Sequence, residues 1–121
     1  MMITEKEVLY YYDGQHLSWI AKVDDGFLYY VHATDWKENE KYEEYLMSET
    51  TLEEIKKFKN NEIDIYDMLN KPICFILREY WGDLPKIETE EVNFKDYDKE
   101  KLPKKGVFLR PKNGEKYQNS Y

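Results

Sequence analysis

The sequence predicts an α+β fold, with an antiparallel sheet of about five or six strands and two short helices inserted at about residues 51–70. Three observations indicate this fold. Segments rich in β-branched and aromatic residues follow one another near the N-terminus, separated by turn sequences. A helix-capping pattern and apolar residues at helical spacing come at mid-chain. A short continuous apolar run follows them directly, as expected of a buried strand.

The N-terminal third predicts a three-stranded meander over residues 8–12, 17–23 and 27–31. Asp13-Gly14 is a typical two-residue hairpin turn, and the loop at 24–26 ends in a glycine that suits the left-handed position of a bulged turn. In the second strand one face is apolar. The opposite face is expected to be at least partly wet because it is mixed, carrying Ser18, Ile20 and Lys22.

The middle of the chain predicts a loop, a fourth strand and the helical pair. Residues 33–41 are polar around a lone Trp36 and indicate a loop, and residues 42–48 alternate as a strand would. Thr50 or Thr51 then offers an N-cap with a glutamate three residues on, which predicts a helix to about residue 59. A second helix is expected from about residue 62 to about residue 70, before Pro72.

The C-terminal part predicts two more strands and a tail. Residues 73–77 form an apolar run that indicates a central strand buried on both faces, and residues 87–94 indicate an edge strand. Residues 107–109 are expected to pack on the domain. We therefore predict one domain over residues 1–110 and a mobile basic tail over residues 111–121.

The chain is acidic, with a net charge of −7, but the charge is concentrated in blocks. Residues 35–54 carry eight acids against two lysines, and residues 79–100 carry eight acids against three lysines. Residues 101–121 reverse the sign, with six basic residues against one acid. Such asymmetry bears on partners and solubility more than on the fold.

Motifs that would indicate catalysis, a metal or a cofactor are absent from the sequence. No glycine-rich phosphate loop occurs. Apart from carboxylates, the candidate metal ligands are His16, His32 and Cys74. Cys74 lies in an apolar run, which favours buried packing over nucleophilic chemistry. No cofactor and no metal are predicted, and a non-enzymatic role is favoured.

The cellular setting follows from two further observations. With a single cysteine no internal disulfide can form, which indicates a reducing compartment. No leader-like segment and no window of about 18 uncharged apolar residues occurs. We therefore expect a cytoplasmic protein that does not enter a membrane.

Acidic and aromatic residues are interleaved in two segments, residues 35–54 and 79–83, which favours protein recognition. Tryptophan and tyrosine anchor protein interfaces, and carboxylates steer the approach of basic partners. Carboxylates can also occupy the positions of phosphates in a basic nucleic-acid-binding groove, whereas direct binding of nucleic acid by an acidic surface is disfavoured. The predicted partner-binding residues are Asp35, Trp36, Glu38, Glu40, Tyr42, Glu43, Glu44, Tyr45, Tyr80 and Trp81.

Several short patterns resemble those of a family of small domains of unknown function carried by bacteria and their mobile elements. They are V-L-Y-Y-Y-D-G at residues 8–14, the Tyr29-Tyr30 pair, E-I-D-I-Y-D-M-L at residues 62–69, and Leu102-Pro103. The resemblance covers most of the chain and implies no activity and no site residue. It does imply a bacterial or phage setting, in which small acidic proteins can act as inhibitors of host nucleases.

The function expected from the sequence is a non-enzymatic protein-interaction module. One form of it is a phage or mobile-element inhibitor that presents an acidic, aromatic surface to a basic nucleic-acid-binding protein. Two alternatives stay open: a small-ligand binding domain or small enzyme with an aromatic-lined pocket, and a regulatory homodimer that pairs through an edge strand.

Overall fold

The computed structural model describes residues 2–12, 15–82 and 85–110, and it shows a six-stranded antiparallel sheet with two short helices. The α+β class predicted from the sequence is therefore confirmed. The order of the strands in the sheet is their order in the chain. The strands are β1 (Ile3–Tyr12), β2 (Gln15–Val23), β3 (Leu28–Lys37), β4 (Tyr42–Thr50), β5 (Ile73–Tyr80) and β6 (Lys86–Asn93).

The first three strands cover the three segments that the sequence predicts for the meander, except that β3 begins at Leu28, one residue later than predicted. Gly26 has φ +87°, so it takes the left-handed conformation expected in the loop before β3. The predicted turn at residues 13–14 lies outside the described residues. The predicted loop at residues 33–41 is wrong over its first half, because β3 continues to Lys37.

Pairing with β4 explains why β3 is longer than its composition suggests. The two strands pair from Leu28↔Thr50 to Lys37↔Tyr42, with a register shift between Ala33 and Asp35. This bulge accommodates one extra residue and lets polar residues continue the ladder. The turn between the two strands is therefore confined to residues 38–41.

The two helices, α1 (Leu52–Lys59) and α2 (Ile65–Leu69), lie between β4 and β5 in the chain. Thr51 is the N-cap of α1, and its hydroxyl accepts a hydrogen bond from the backbone N–H of Glu54 at 3.1 Å. α2 is shorter than predicted because Asp64 caps it, accepting from the backbone N–H of Asp67 at 2.7 Å.

One face of the sheet is covered by the helices and by the C-terminal segment. Phe58 and Met68 from the helices pack there with Tyr30 and Leu46 from the strands. Ser18 and Ile20 of β2 are on this face and are buried, so the expectation of a partly wet face holds only for Lys22, which is exposed. Burial by elements far away in the sequence cannot be inferred from the pattern of one strand.

The opposite face has a second core made largely of strand side chains. Trp19 and Tyr45 meet edge to face with ring centroids 5.9 Å apart, and Tyr29 meets Phe75 in the same way at 5.9 Å. The first contact joins β2 to β4 and the second joins β3 to β5. The rings meet above the strand that lies between them, because side chains there, such as Ala33, are small or flexible. Large aromatic rings thus bury this face, which none of the helices in the described residues covers.

The last elements complete the domain on the helical face. β5 lies between β4 and β6, and Cys74 and Leu77 in it are buried, although Ile73 at its start is 52% exposed. β6 is an edge strand, as predicted. Residues 94–110 then return over the core and bury, among others, Tyr97, Leu102 and Leu109. Residues 111–121, the predicted tail, lie outside the described residues.

Candidate functional site: an acidic and aromatic end of the sheet

The candidate site lies where β3 and β5 end and where β4 begins. Antiparallel pairing brings these ends together, because Lys37 pairs with Tyr42 and Tyr42 pairs with Tyr80. The two acid–aromatic segments, which are far apart in the sequence, therefore meet at one end of the sheet. We call the four rings at this end, Trp36, Tyr42, Tyr80 and Trp81, the aromatic end.

The two tryptophans of the aromatic end contact each other. Their ring centroids are 4.8 Å apart with planes inclined at 38°. Trp36 is 44% exposed, and the backbone N–H of Trp81 donates a hydrogen bond to the carbonyl of Lys41 at 3.0 Å. Trp81 is thus held beside the turn that connects β3 to β4, and the tryptophan pair has a defined position.

The two tyrosines form a cross-strand pair, with centroids 5.0 Å apart. Cations of the same chain already occupy their ring faces: the Arg78 guanidinium lies 5.9 Å from the Tyr42 ring, and Lys86 Nζ lies 4.9 Å from the Tyr80 ring. A hydrogen bond with Glu88 raises the pKa of the Tyr80 hydroxyl. Cation–π contacts within the chain therefore already occupy part of both tyrosine rings.

The sheet register separates the tryptophans from the tyrosines. Trp36 pairs with Glu43, Glu43 with Glu79, and Glu79 with Ile87, and directly paired residues point to the same face. With Trp81, which contacts Trp36, these residues make up what we call the tryptophan face. The other row, on the opposite face, consists of Lys37, Tyr42, Tyr80 and Lys86.

The tryptophan face combines exposed apolar groups with two neighbouring carboxylates. Ile87 is 60% exposed, and an open depression of about 480 Å³ at the edge of the sheet is lined by Glu79 and Ile87 from this face and by Tyr80 and Lys86 from the other. Burial is the main cause that raises the pKa of Glu79, and the neighbouring Glu43 raises it further while Lys6 lowers it. Tyr45 donates a hydrogen bond to Glu43. None of the salt bridges among the described residues involves either carboxylate.

Two of the ten residues predicted to bind a partner are buried. Glu44 is 4% exposed: its Oε2 accepts hydrogen bonds from the Tyr97 hydroxyl at 2.8 Å and from Lys101 Nζ at 3.2 Å. Tyr45 is 1% exposed, and burial raises the pKa of its hydroxyl strongly. Glu44 fastens the C-terminal segment to the sheet and Tyr45 fills the second core, so neither belongs to the candidate surface.

A third predicted residue, Asp35, is neutralised within the chain. Its carboxylate lies 3.3 Å from Lys37 Nζ and 3.3 Å from Lys101 Nζ, and it accepts from the backbone N–H of Trp36. Burial alone would raise the pKa of Asp35, but these three partners outweigh it and lower the pKa. The predicted acids left on the surface are Glu38 and Glu40, both exposed in the turn, and the half-buried Glu43.

Glu79 and Ile87 of the tryptophan face were absent from the predicted set. Ile87 lies on an edge strand whose weak alternation does not show which residues face a partner. Their position opposite Glu43 follows from the register of β4, β5 and β6. A sequence reader could have found Glu79, since it directly precedes Tyr80 in the second acid–aromatic segment.

The residues that could carry other chemistry lie apart from this end. His32 is fully buried and pairs across the strands with Ser18, whose Oγ lies 2.9 Å from His32 Nδ1 and 2.9 Å from the Tyr30 hydroxyl. Burial lowers the pKa of His32 to about 3, and its Nε2 has no hydrogen-bond partner among the described residues. His16 lies against the Tyr11 ring of β1, with centroids 5.4 Å apart, whereas His32 of β3 is buried beside Ser18.

The Ser18–His32 contact differs from a catalytic pair because both side chains are inaccessible. A nucleophilic hydroxyl must reach a substrate, and here the hydroxyl lies in the core beneath the helices. Cys74 is also buried, as predicted, and burial raises the pKa of its thiol. Within residues 2–12, 15–82 and 85–110, no group of three or more His, Cys, Asp and Glu residues is placed to hold a metal.

In comparisons with known proteins, no family model, no curated protein and no solved structure matches the chain. The resemblance to a family of small bacterial domains stays a prediction. In the described residues no helix has the length and apolar character to cross a membrane.

Proposed function

We propose that this protein is a non-enzymatic interaction module that binds a basic, nucleic-acid-binding protein through the acidic and aromatic end of its sheet. The observation that carries the proposal is the contact between Trp36 and Trp81. It joins two acid–aromatic segments into one exposed surface. Interfaces are commonly built around such aromatic anchors, with charges at the rim.

The charge of this end supports a basic partner. Glu38 and Glu40 are exposed on the turn, and Glu43 and Glu79 lie beside the tryptophans. Attraction between such a surface and a basic groove would raise the association rate and would weaken with salt. An inhibitor acting in this way competes with nucleic acid for the groove, as expected of a phage or mobile-element protein.

Affinity purification from a bacterial lysate at low salt, followed by mass spectrometry, tests the proposal. The wild type should recover a protein with a basic nucleic-acid-binding groove, and added DNA or high salt should release it. The variant W36A/E38Q/E40Q should lose most of that recovery.

A matched control removes one exposed aromatic ring and two exposed acids elsewhere: F27A/E53Q/E62Q. Its recovery of the partner should equal that of the wild type. Equal recovery by W36A/E38Q/E40Q, capture insensitive to salt, or self-association as the only interaction would overturn the proposal.

A further inference from the structure

On the tryptophan face, Trp36 is 44% exposed, and the half-buried Glu43 and Glu79 take part in no salt bridge among the described residues, whereas the tyrosine rings of the opposite face are paired with cations. On the opposite face, Arg78 lies over the Tyr42 ring, its Nη1 is 3.1 Å from Glu90 Oε1 and its Nε is 3.7 Å from Glu44 Oε1. One guanidinium there contacts an aromatic ring and two carboxylates at once. The chain thus contains one complete arrangement of this kind.

The tryptophan face has the same components without the cation. Trp36 and Trp81 supply the rings, and Glu43 and Glu79 supply two carboxylates on adjacent strands. No described arginine lies on this face, since the described arginines are Arg78, on the opposite face, and Arg110, in the C-terminal segment.

Two neighbouring carboxylates repel each other, and a cation between them removes that repulsion. Lys6 is close enough to Glu79 to lower its pKa, yet its ammonium lies over the Trp19 ring at 4.1 Å and forms no salt bridge with Glu79. The charge of the face is therefore not balanced by a close ion pair within the described residues, and it is complementary to an incoming cation.

The geometry favours a guanidinium over an ammonium. A guanidinium is planar and weakly hydrated, so it can stack on an indole ring while its N–H groups fork toward a carboxylate. An ammonium is a compact point charge that is more strongly hydrated. The exposed Trp36 indole, in contact with Trp81 and beside two carboxylates, matches the first group better than the second.

We propose that the tryptophan face receives an arginine side chain of the basic partner, stacked on Trp36 and Trp81 and paired with Glu43 and Glu79. This inference rests on the proposed function and names the chemistry by which the same surface recognises its partner. It separates two contributions: Glu38 and Glu40 attract any basic partner, whereas the tryptophan face distinguishes arginine from lysine.

Two peptides of equal length and charge test this separation: hexa-arginine and hexa-lysine, titrated into the purified protein by calorimetry at low salt. The wild type should bind hexa-arginine about tenfold more tightly than hexa-lysine. The variant W36A/W81A should bind the two peptides with equal affinity while keeping its affinity for hexa-lysine within about twofold. The control F27A should keep the full preference, and circular dichroism should show that each variant is folded.

The carboxylates are tested with E43Q/E79Q, which keeps side chains of the same size and an acceptor for Tyr45. It should lower the affinity for hexa-arginine more than the affinity for hexa-lysine, whereas E38Q/E40Q should lower both affinities equally. Equal affinities of the wild type for the two peptides would overturn the arginine inference, and so would an unchanged preference in W36A/W81A. The proposed function would stand in both cases, as long as E38Q/E40Q weakens binding. If the wild type binds neither peptide, both the proposed function and the arginine inference are wrong.

Discussion

Replacing His32 by asparagine should remove a large part of the pH dependence of folding. The imidazole is fully buried, and burial lowers its pKa from 6.5 to about 3. In the folded protein it therefore stays neutral between these values, whereas in the unfolded chain it binds a proton below about pH 6.5. The stabilising contribution is fully present above pH 6.5 and is lost as the pH falls toward 3.

The size of the effect follows from the two pKa values. Between pH 7 and pH 5 the unfolded chain gains about 0.7 proton at this position, and the folded protein gains almost none. The linkage relation then gives a loss of about 2 kcal/mol in the free energy of unfolding, rising to an upper bound of about 5 kcal/mol near pH 3. Domains of this kind are stable by about 5–15 kcal/mol in total, so the effect is large.

Urea denaturation at pH 7 and at pH 5 measures the effect in the wild type and in H32N. Asparagine places an acceptor near the position of Nδ1, toward Ser18 and Tyr30, so folding is retained. The quantity compared is the change between the two pH values, which cancels any constant loss of stability in the variant. Because Asp35 and Glu79 titrate in both proteins, their contributions also cancel.

H16N is the matched control, since the pKa of His16 is also lowered by burial, but that side chain is only half-buried. It should leave most of the pH dependence in place. If H32N shows the same loss between pH 7 and pH 5 as the wild type, or if NMR titration finds His32 protonating near 6.5, the reasoning from burial fails.

Two further predictions concern local contacts. T51A should lower the free energy of unfolding by about 1 kcal/mol in urea denaturation, because it removes the acceptor for the Glu54 N–H, while T51S should keep the cap. A loss equal in both variants would contradict the capping role. Y97F should lower the free energy of unfolding by about 2 kcal/mol and raise the rate of hydrogen exchange in residues 94–110, because the buried Glu44 loses a hydrogen bond. The control Y80F should change neither quantity. Unchanged exchange in Y97F would show that Glu44 does not hold this segment.

The parts of the fold that sequence reasoning found are those that local chemistry decides. The Thr51 cap depends on residues within one helical turn, and the conformation of Gly26 depends on its own missing side chain. Trp36 shows where prediction from local sequence fails. Its polar neighbours are typical of a loop, but hydrogen bonds to β4 keep it in a strand.

The sequence predicts which residue types form the candidate site, but it does not predict which of these residues are exposed or which face of the sheet they occupy. Glu44 and Tyr45 have the same residue types as their half-buried neighbours Glu43 and Tyr42, yet they are buried because a C-terminal segment and a cross-strand ring cover them. The sequence predicts one surface that holds Tyr42 and Tyr80 together with the tryptophans, whereas the register places the two tyrosines on the other face.

The sequence by itself determined that this protein is an acidic α+β domain in which carboxylates and aromatic rings are interleaved in two segments. Alternation, capping residues and charge blocks are properties of neighbours in the chain, so they can be read without a structure. Only the tertiary structure decided that the two segments meet through Trp36 and Trp81, and which carboxylates stay exposed beside them. Strand register and coverage by residues 94–110 decide these points, because they arise from contacts between residues far apart in the sequence.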